Sequence, residues 1–182
     1  MLKNIEQLNL VIDIGNTLLK AAIFKNNLLI VSIEFKDNFE LNIESVLDKY
    51  PITHSIVSNV SNFNEGLNYL LSIRTKQILF YESIKIPFTN SYSTISTLGK
   101  DRIALVSAAS KEFSKENVLI IDLGSCITYD FKNSKNYYLG GSISPGIHMR
   151  YKSLNDYTAN LPLLNLKNIT NFVGKSTEES IH

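Results

Sequence analysis

Two aspartates stand at the same place in the same pattern. Asp13 closes the apolar run Leu10-Val11-Ile12 and is followed by Ile14-Gly15-Asn16-Thr17; Asp122 closes Val118-Leu119-Ile120-Ile121 and is followed by Leu123-Gly124-Ser125. A second strand-like run then leaves each turn, residues 18–24 in the first copy and 126–131 in the second. Glycine permits a tight reversal and leaves backbone N–H groups uncovered, as a phosphate requires. An aspartate at a strand end can hold a cation, or its water, against that phosphate. In the first copy Asn16 and Thr17 add side-chain donors and Lys20 adds charge. In the second, Ser125 can donate to a phosphate oxygen, Asp122 can face a metal or monovalent cation, and Thr128 and Asp130 lie on the outgoing strand. Either turn alone reads as an ordinary hairpin, with Lys20 in solvent and Asp130 ending a turn. Two bland hairpins need not share Asp-x-Gly after a buried strand, so the repeat favours phosphoryl transfer by two related half-domains closing on one nucleotide.

Two further segments carry chemistry. Leu98-Gly99-Lys100-Asp101-Arg102 opens a helix. An acid in the first turn complements the helix dipole and is common there, whereas Arg102 in that turn is unfavourable. Phosphoryl transfer asks only that a carboxylate orient a hydroxyl and accept its proton late, which Asp101 can do. Arg102 can grip a substrate carboxylate through its forked donors. Both readings of this segment stand. Gly140-Gly141-Ser142-Ile143-Ser144-Pro145-Gly146 reads as a strand-to-helix turn, either an anion or ligand-ring site or a plain capped turn. Cys126, the single cysteine, lies between apolar neighbours as a small hydrophobe and excludes an intrachain disulfide. His54, His148 and His182 have no ligand spacing, and neither a Gly-x-Ser-x-Gly elbow nor a Gly-Lys-Ser/Thr phosphate loop occurs.

The elements that must position these residues follow from periodicity. Residues 8–14, 19–25 and 28–35 read as strands with a turn at Lys25-Asn26-Asn27, and 40–50 as a helix stopped by Pro51. A strand at 55–59, a helix at 62–73 and a strand at 77–81 follow, then a polar loop from Pro87 to Leu98 and a helix from Asp101 to Phe113. The pattern restarts with strands at 118–123, 127–131 and 137–141, the second and third joined by a polar turn at Lys132–Lys135. A helix is expected from Pro145 to Tyr157, with Ser144 as N-cap and proline at its first position. Ser176 to His182 reads as one or two helical turns. This order gives a mixed α/β fold in two lobes, 1–113 and 114–182.

Composition agrees with a globular domain: 182 residues, 44% hydrophobic, 19% charged, net charge +1. That charge gives no electrostatic case for a nucleic-acid or anionic-membrane partner. The first ten residues do not read as a signal peptide, and no run approaches the ~20 apolar residues of a bilayer span. A cytoplasmic setting is expected.

Taken in order, the elements Asp13-x-Gly-Asn-Thr-x-x-Lys20, Tyr92, Gly99-Lys-Asp-Arg102, Asp122-x-Gly-Ser125-x-x-Thr128, Gly140-Gly-x-Ile-x-Pro-Gly146 and Gly174-Lys-Ser-Thr177 resemble the type III pantothenate kinases. That family belongs to the acetate kinase, sugar kinase, Hsp70 and actin superfamily, and the resemblance runs over essentially the whole chain. It implies two RNase H-like lobes of the actin/hexokinase type. It also implies ATP-dependent phosphorylation of pantothenate to 4′-phosphopantothenate, the first step of coenzyme A synthesis, by a cytoplasmic homodimer. Carried over, Asp13, Ile14, Gly15, Asn16, Thr17, Leu18, Leu19, Lys20 and Ser125 would bind ATP with Mg²⁺. Asp101 would accept the proton of the pantothenate hydroxyl; Tyr92, Gly99, Lys100, Asp101, Arg102 and Thr177 would line the pantothenate site. Asp122 would hold a monovalent cation, K⁺ or NH₄⁺. The chain departs from the family at Ile95-Ser96, where proline is frequent, and at Ser125-Cys126, where Thr-Ala is common. Family chains usually continue well past Thr177, so the second lobe reads as incomplete at its C-terminus. The alternative function is a nucleotide- or pantothenate-binding truncated homologue without turnover.

Overall fold

A computed structural model describes residues 7–60, 65–78, 84–168 and 170–182. The chain divides into two compact units, Met1–Phe88 with Ser93–Ala108, and Thr89–Tyr92 with Ala109–His182.

The first unit is built on a five-stranded sheet. Strands β1 (Leu8–Ile14), β2 (Leu19–Lys25) and β3 (Leu28–Phe35) form an antiparallel meander as their alternation predicts. Asn26 and Asn27, both at positive φ, make the two-residue β2–β3 turn, a conformation asparagine tolerates at low cost. Helix α1 (Phe39–Lys49) leads to β4 (Ile52–Asn59), which lies parallel to β1. Helix α2 (Glu65–Arg74) leads to β5 (Lys76–Ile78), parallel to β4. The strand order is β3-β2-β1-β4-β5, that of an RNase H-like sheet. Leu10, Ile12 and Ile14 of β1 and Leu19, Ala21 and Ile23 of β2 are buried in one cluster with Ile43, Val46 and Leu47 of α1 and Leu67 and Leu71 of α2. Because side chains alternate along a strand, this places Asn9, Val11 and Asp13 on the opposite face. The helix expected at 62–73 is seen from Glu65, and the strand expected at 77–81 is seen over Lys76–Ile78; residues 61–64 and 79–83 lie outside the described residues.

The polar stretch expected as a loop from Pro87 to Leu98 contains a two-residue strand, β6 (Thr89–Asn90), and a single 3₁₀ turn at Ile95–Thr97. Helix α3 (Lys100–Glu112) follows. The second unit holds a four-stranded sheet in the order β6-β9-β8-β7. Here β7 (Val118–Leu123), β8 (Cys126–Lys132) and β9 (Tyr137–Pro145) repeat the antiparallel meander of the first unit, and β6 adds in parallel beside β9.

Two expectations are corrected here. Pro145 does not open a helix: it ends β9, paired with Cys126, and helix α4 (Ile147–Asp156) begins after Gly146 as N-cap. Ser144 is a strand residue whose hydroxyl accepts from Arg150 Nη2 at 2.8 Å. Proline is tolerated at this strand end because it needs to give no ladder donor there. Lys132 does not belong to a polar turn either. It is the last residue of β8 and fully buried, donating to the carbonyls of Phe113 and Glu116 and to Asn136 Oδ1. A fifth helix, α5 (Thr177–Ile181), is a single short turn with Ser176 as N-cap. No helix among the described residues is long and apolar enough to cross a membrane.

Candidate functional site

In the first unit the candidate residues gather at the C-terminal ends of the parallel pair β1 and β4. This is where open α/β sheets present their ligands. Asp13 is the penultimate residue of β1 and lies directly across from Lys20. Lys20 in turn pairs with Glu34, and Asp13 pairs on its other side with Ser58. Residues in direct register share a face, so Glu34, Lys20, Asp13 and Ser58 form one polar row across four strands. Ser58 Oγ is buried and has no hydrogen-bond partner among the described residues. The loop itself is four residues, with the Gly15 N–H donating to the Leu18 carbonyl at 3.0 Å. Gly15 is therefore the hinge of the turn. Asn16 and Thr17, in the middle of the turn, are exposed.

The Gly99–Arg102 segment lies in the same unit. A Cβ on Gly99 would stand 2.3 Å from Asp101 Oδ1, so only glycine lets this carboxylate fold back over the helix start. Asp101 Oδ1 accepts from the Arg102 N–H at 2.8 Å, and Arg102 is buried, with 4% of its surface exposed. Gly99 and Lys100 line a cavity of about 480 Å³ together with Ser96, Thr97, Asn59 and Val60. The Val60 N–H donates to the Ile14 carbonyl at 3.1 Å, which ties the end of β4 to the end of β1. Asn59 and Val60 thus join the Asp13 turn to the cavity beside Gly99.

In the second unit Asp122 is the penultimate residue of β7 and pairs across the hairpin with Thr128. Thr128 is buried, and its Oγ1 has no hydrogen-bond partner among the described residues. Register partners share a face, so Asp122 and the unsatisfied Thr128 hydroxyl lie on the same side of the hairpin. The loop is two residues, Gly124-Ser125, and the Gly124 N–H donates to the Cys126 carbonyl at 2.9 Å. Gly146 packs onto this loop: its N–H donates to the Ser125 carbonyl at 3.0 Å, and a Cβ on it would stand 2.4 Å from the carbonyl oxygens of Gly124 and Ser125. The Asp122 turn and the Gly140–Gly146 element are therefore one structure. Cys126 is half-buried, with Met149 Sδ 3.9 Å from its sulfur. Tyr92 stacks on Tyr138. Thr177 lies beside another concavity, of about 730 Å³, with Leu154 and Leu161. Among the described residues no three His, Cys, Asp or Glu side chains gather as a metal site. A magnesium ion carried on ATP phosphates asks only one or two carboxylates of the protein.

The family model of type III pantothenate kinase matches residues 9–182. The chain belongs to that family. It is 49% identical over 177 residues to the type III pantothenate kinase of Christiangramia forsetii, covering 96% of this chain and 72% of the relative. It is 41% identical over 175 residues to that of Flavobacterium johnsoniae, covering 95% and 72%. Among solved structures it is similar to a Campylobacter jejuni protein described under the Baf family of transcriptional activators. The TM-score is 0.57 at 24% identity, over 94% of this chain and 71% of that one, a likeness of fold alone. In this pantothenate kinase family member, sequence reasoning overlooked Ser58 and Asn59. The signal was present as a polar pair ending the otherwise apolar run Ile56-Val57. Glu34 and the role of Gly146 depend on strand register and could not be read locally.

Proposed function

We infer that the chain transfers the γ-phosphoryl group of ATP to the hydroxyl of pantothenate, giving 4′-phosphopantothenate, the first step of coenzyme A biosynthesis. The observation that carries this is the family match over residues 9–182, which spans every site element described. Asp101 orients the hydroxyl and takes its proton as the bond to phosphorus forms, while Arg102 and Tyr92, with Gly99, Lys100 and Thr177, hold the rest of pantothenate. Residues 13–20 and Ser125 hold ATP, with Lys20 offsetting phosphate charge as it moves toward the leaving oxygen. Mg²⁺ on the phosphates would be held through Asp13, and K⁺ or NH₄⁺ through Asp122 and the Thr128 hydroxyl, both supplying positive charge. A cytoplasmic homodimer belongs to the same reading.

ADP release by the purified protein with ATP, magnesium and potassium, with and without pantothenate, tests it. Pantothenate-dependent release with 4′-phosphopantothenate as product is the expected result. ADP release indifferent to pantothenate, from folded protein, would overturn the substrate assignment.

A further inference from the structure

We propose that Tyr138 is a positioning residue that fixes the ring of Tyr92 and thereby sets the affinity for pantothenate; this rests on the reading of Tyr92 as a pantothenate-site residue.

Tyr92 is held from several sides within the second unit. It follows β6, whose residues Thr89 and Asn90 pair with Tyr137 and Tyr138. The Ser91 N–H donates to the Tyr138 carbonyl at 3.1 Å, and the Tyr92 N–H donates to Asn90 Oδ1 at 2.9 Å. These bonds set where the backbone turns out of the sheet. The half-buried Tyr92 ring then lies nearly parallel to that of Tyr138, centroids 6.1 Å apart and planes at 15°. That is within the range of favourable offset stacking. The Tyr92 ring also reaches over Gly140, where a Cβ would stand 3.7 Å from Tyr92 Cδ2. Gly140 has φ +106°, a conformation that a side chain would strain.

Tyr138 can act as a fixed platform because it is itself anchored. It is fully buried, and its hydroxyl donates to Asp130 Oδ1 at 2.7 Å; Asp130 is fully buried too. The two are not register partners: Asp130 faces Gly141, and Tyr138 faces Lys132 across a register shift. That shift lets the phenol lie along the strand to reach the carboxyl. A phenylalanine would fill the same space without requiring a buried acid. A buried polar pair of this kind specifies orientation more than it adds stability. What it orients is the ring stacked on it.

The chain has no tryptophan, so Tyr92→Trp introduces a sole indole reporter. In that background Tyr138→Leu is expected to move indole emission to longer wavelength and to increase its quenching by iodide. In the otherwise native chain Tyr138→Leu is expected to raise the pantothenate KM roughly fivefold, the size of one lost aromatic contact. The ATP KM and kcat should stay within about twofold, a split that general loosening of the fold would not produce. Tyr138→Phe keeps the stack and loses the anchor, so a rise of roughly threefold is expected. This volume-conserving variant carries the test should the leucine variant fail to fold by circular dichroism. Tyr92→Leu with Tyr138→Leu should be no worse than Tyr92→Leu alone, because both remove one contact. An unchanged indole signal, additive effects, or an equal rise in the ATP KM would overturn the proposal. A responsive indole with pantothenate KM unchanged in Tyr92→Leu would instead remove Tyr92 from the pantothenate site, and with it any role of Tyr138 in affinity.

Discussion

The turn after β1 and the turn after β7 begin alike and diverge at the residue across the hairpin. Each has an aspartate one place before the strand ends, and each uses its glycine N–H inside the turn. Across from Asp13 stands the exposed Lys20; across from Asp122 stands the buried Thr128 with an unsatisfied hydroxyl. The first loop has four residues and leaves Asn16 and Thr17 exposed, while the second has two and is packed under Gly146. Under the proposed function, one scaffold would serve two kinds of ligand. The open turn carries a lysine opposite its aspartate, which fits its proposed role at a polyphosphate. The covered turn sets a neutral hydroxyl opposite its aspartate, which fits its proposed role at a monovalent cation.

The comparison can be broken most decisively from outside both turns. If the turns only hold ligands and Asp101 does the chemistry, Asp101→Asn lowers kcat by about 10²–10⁴-fold with both KM values little changed. Single-turnover rates of the purified variant check this, and near-native turnover would return the catalytic role to one of the turns. Lys20→Met should cost roughly 10–100-fold in kcat/KM for ATP, as loss of a charge-assisted contact does, while leaving potassium dependence alone. The mirror experiment is a potassium titration of Asp122→Asn and of Thr128→Val. Each should raise half-saturating potassium by about tenfold, one oxygen ligand's worth of binding, and Thr128→Val should leave the ATP KM near native at saturating salt. A Thr128→Val enzyme with native potassium response would show that the two turns do not differ in the way described. The smallest effects concern the glycines. Gly146→Ala should destabilise by about 1–3 kcal/mol, because its methyl meets backbone oxygens that cannot move aside. Gly15→Ala, whose Cβ would stand 3.3 Å from the Leu18 carbonyl, should be milder; thermal melts of the two variants rank them.

Much of this was legible in the chain because apolar alternation dominates the central strands. Leu10, Ile12 and Ile14 against Leu19, Ala21 and Ile23 define both β1 and β2 and the face they bury, so the position of Asp13 on the other face follows at once. The Ser144-Pro145 pair misled because its local preference is a helix start, whereas pairing of Pro145 with Cys126 keeps β9 extended. A strand partner 19 positions away leaves no local trace. Asp130 and Lys132 misled for a related reason. Charged residues near a turn read as solvated, and only the β8–β9 register shift and the chain after α3 supply the acceptors and donor that admit them to the interior. The paired Asp-x-Gly turns were found early because they are repeated; the polar row through Ser58 and Glu34 was not, because register assembles it.

The buried ammonium of Lys132 has a further consequence, for how the second unit opens. Its acceptors come from the chain after α3, at Phe113 and Glu116, and from the β8–β9 turn, at Asn136. If one of these lets go, a positive charge is left in the interior with a proton unmatched, and the remaining bonds are weakened with it. Fraying at either place is therefore penalised at the other. The two segments act as one latch, and their amide protons should exchange with solvent at a common, slow rate.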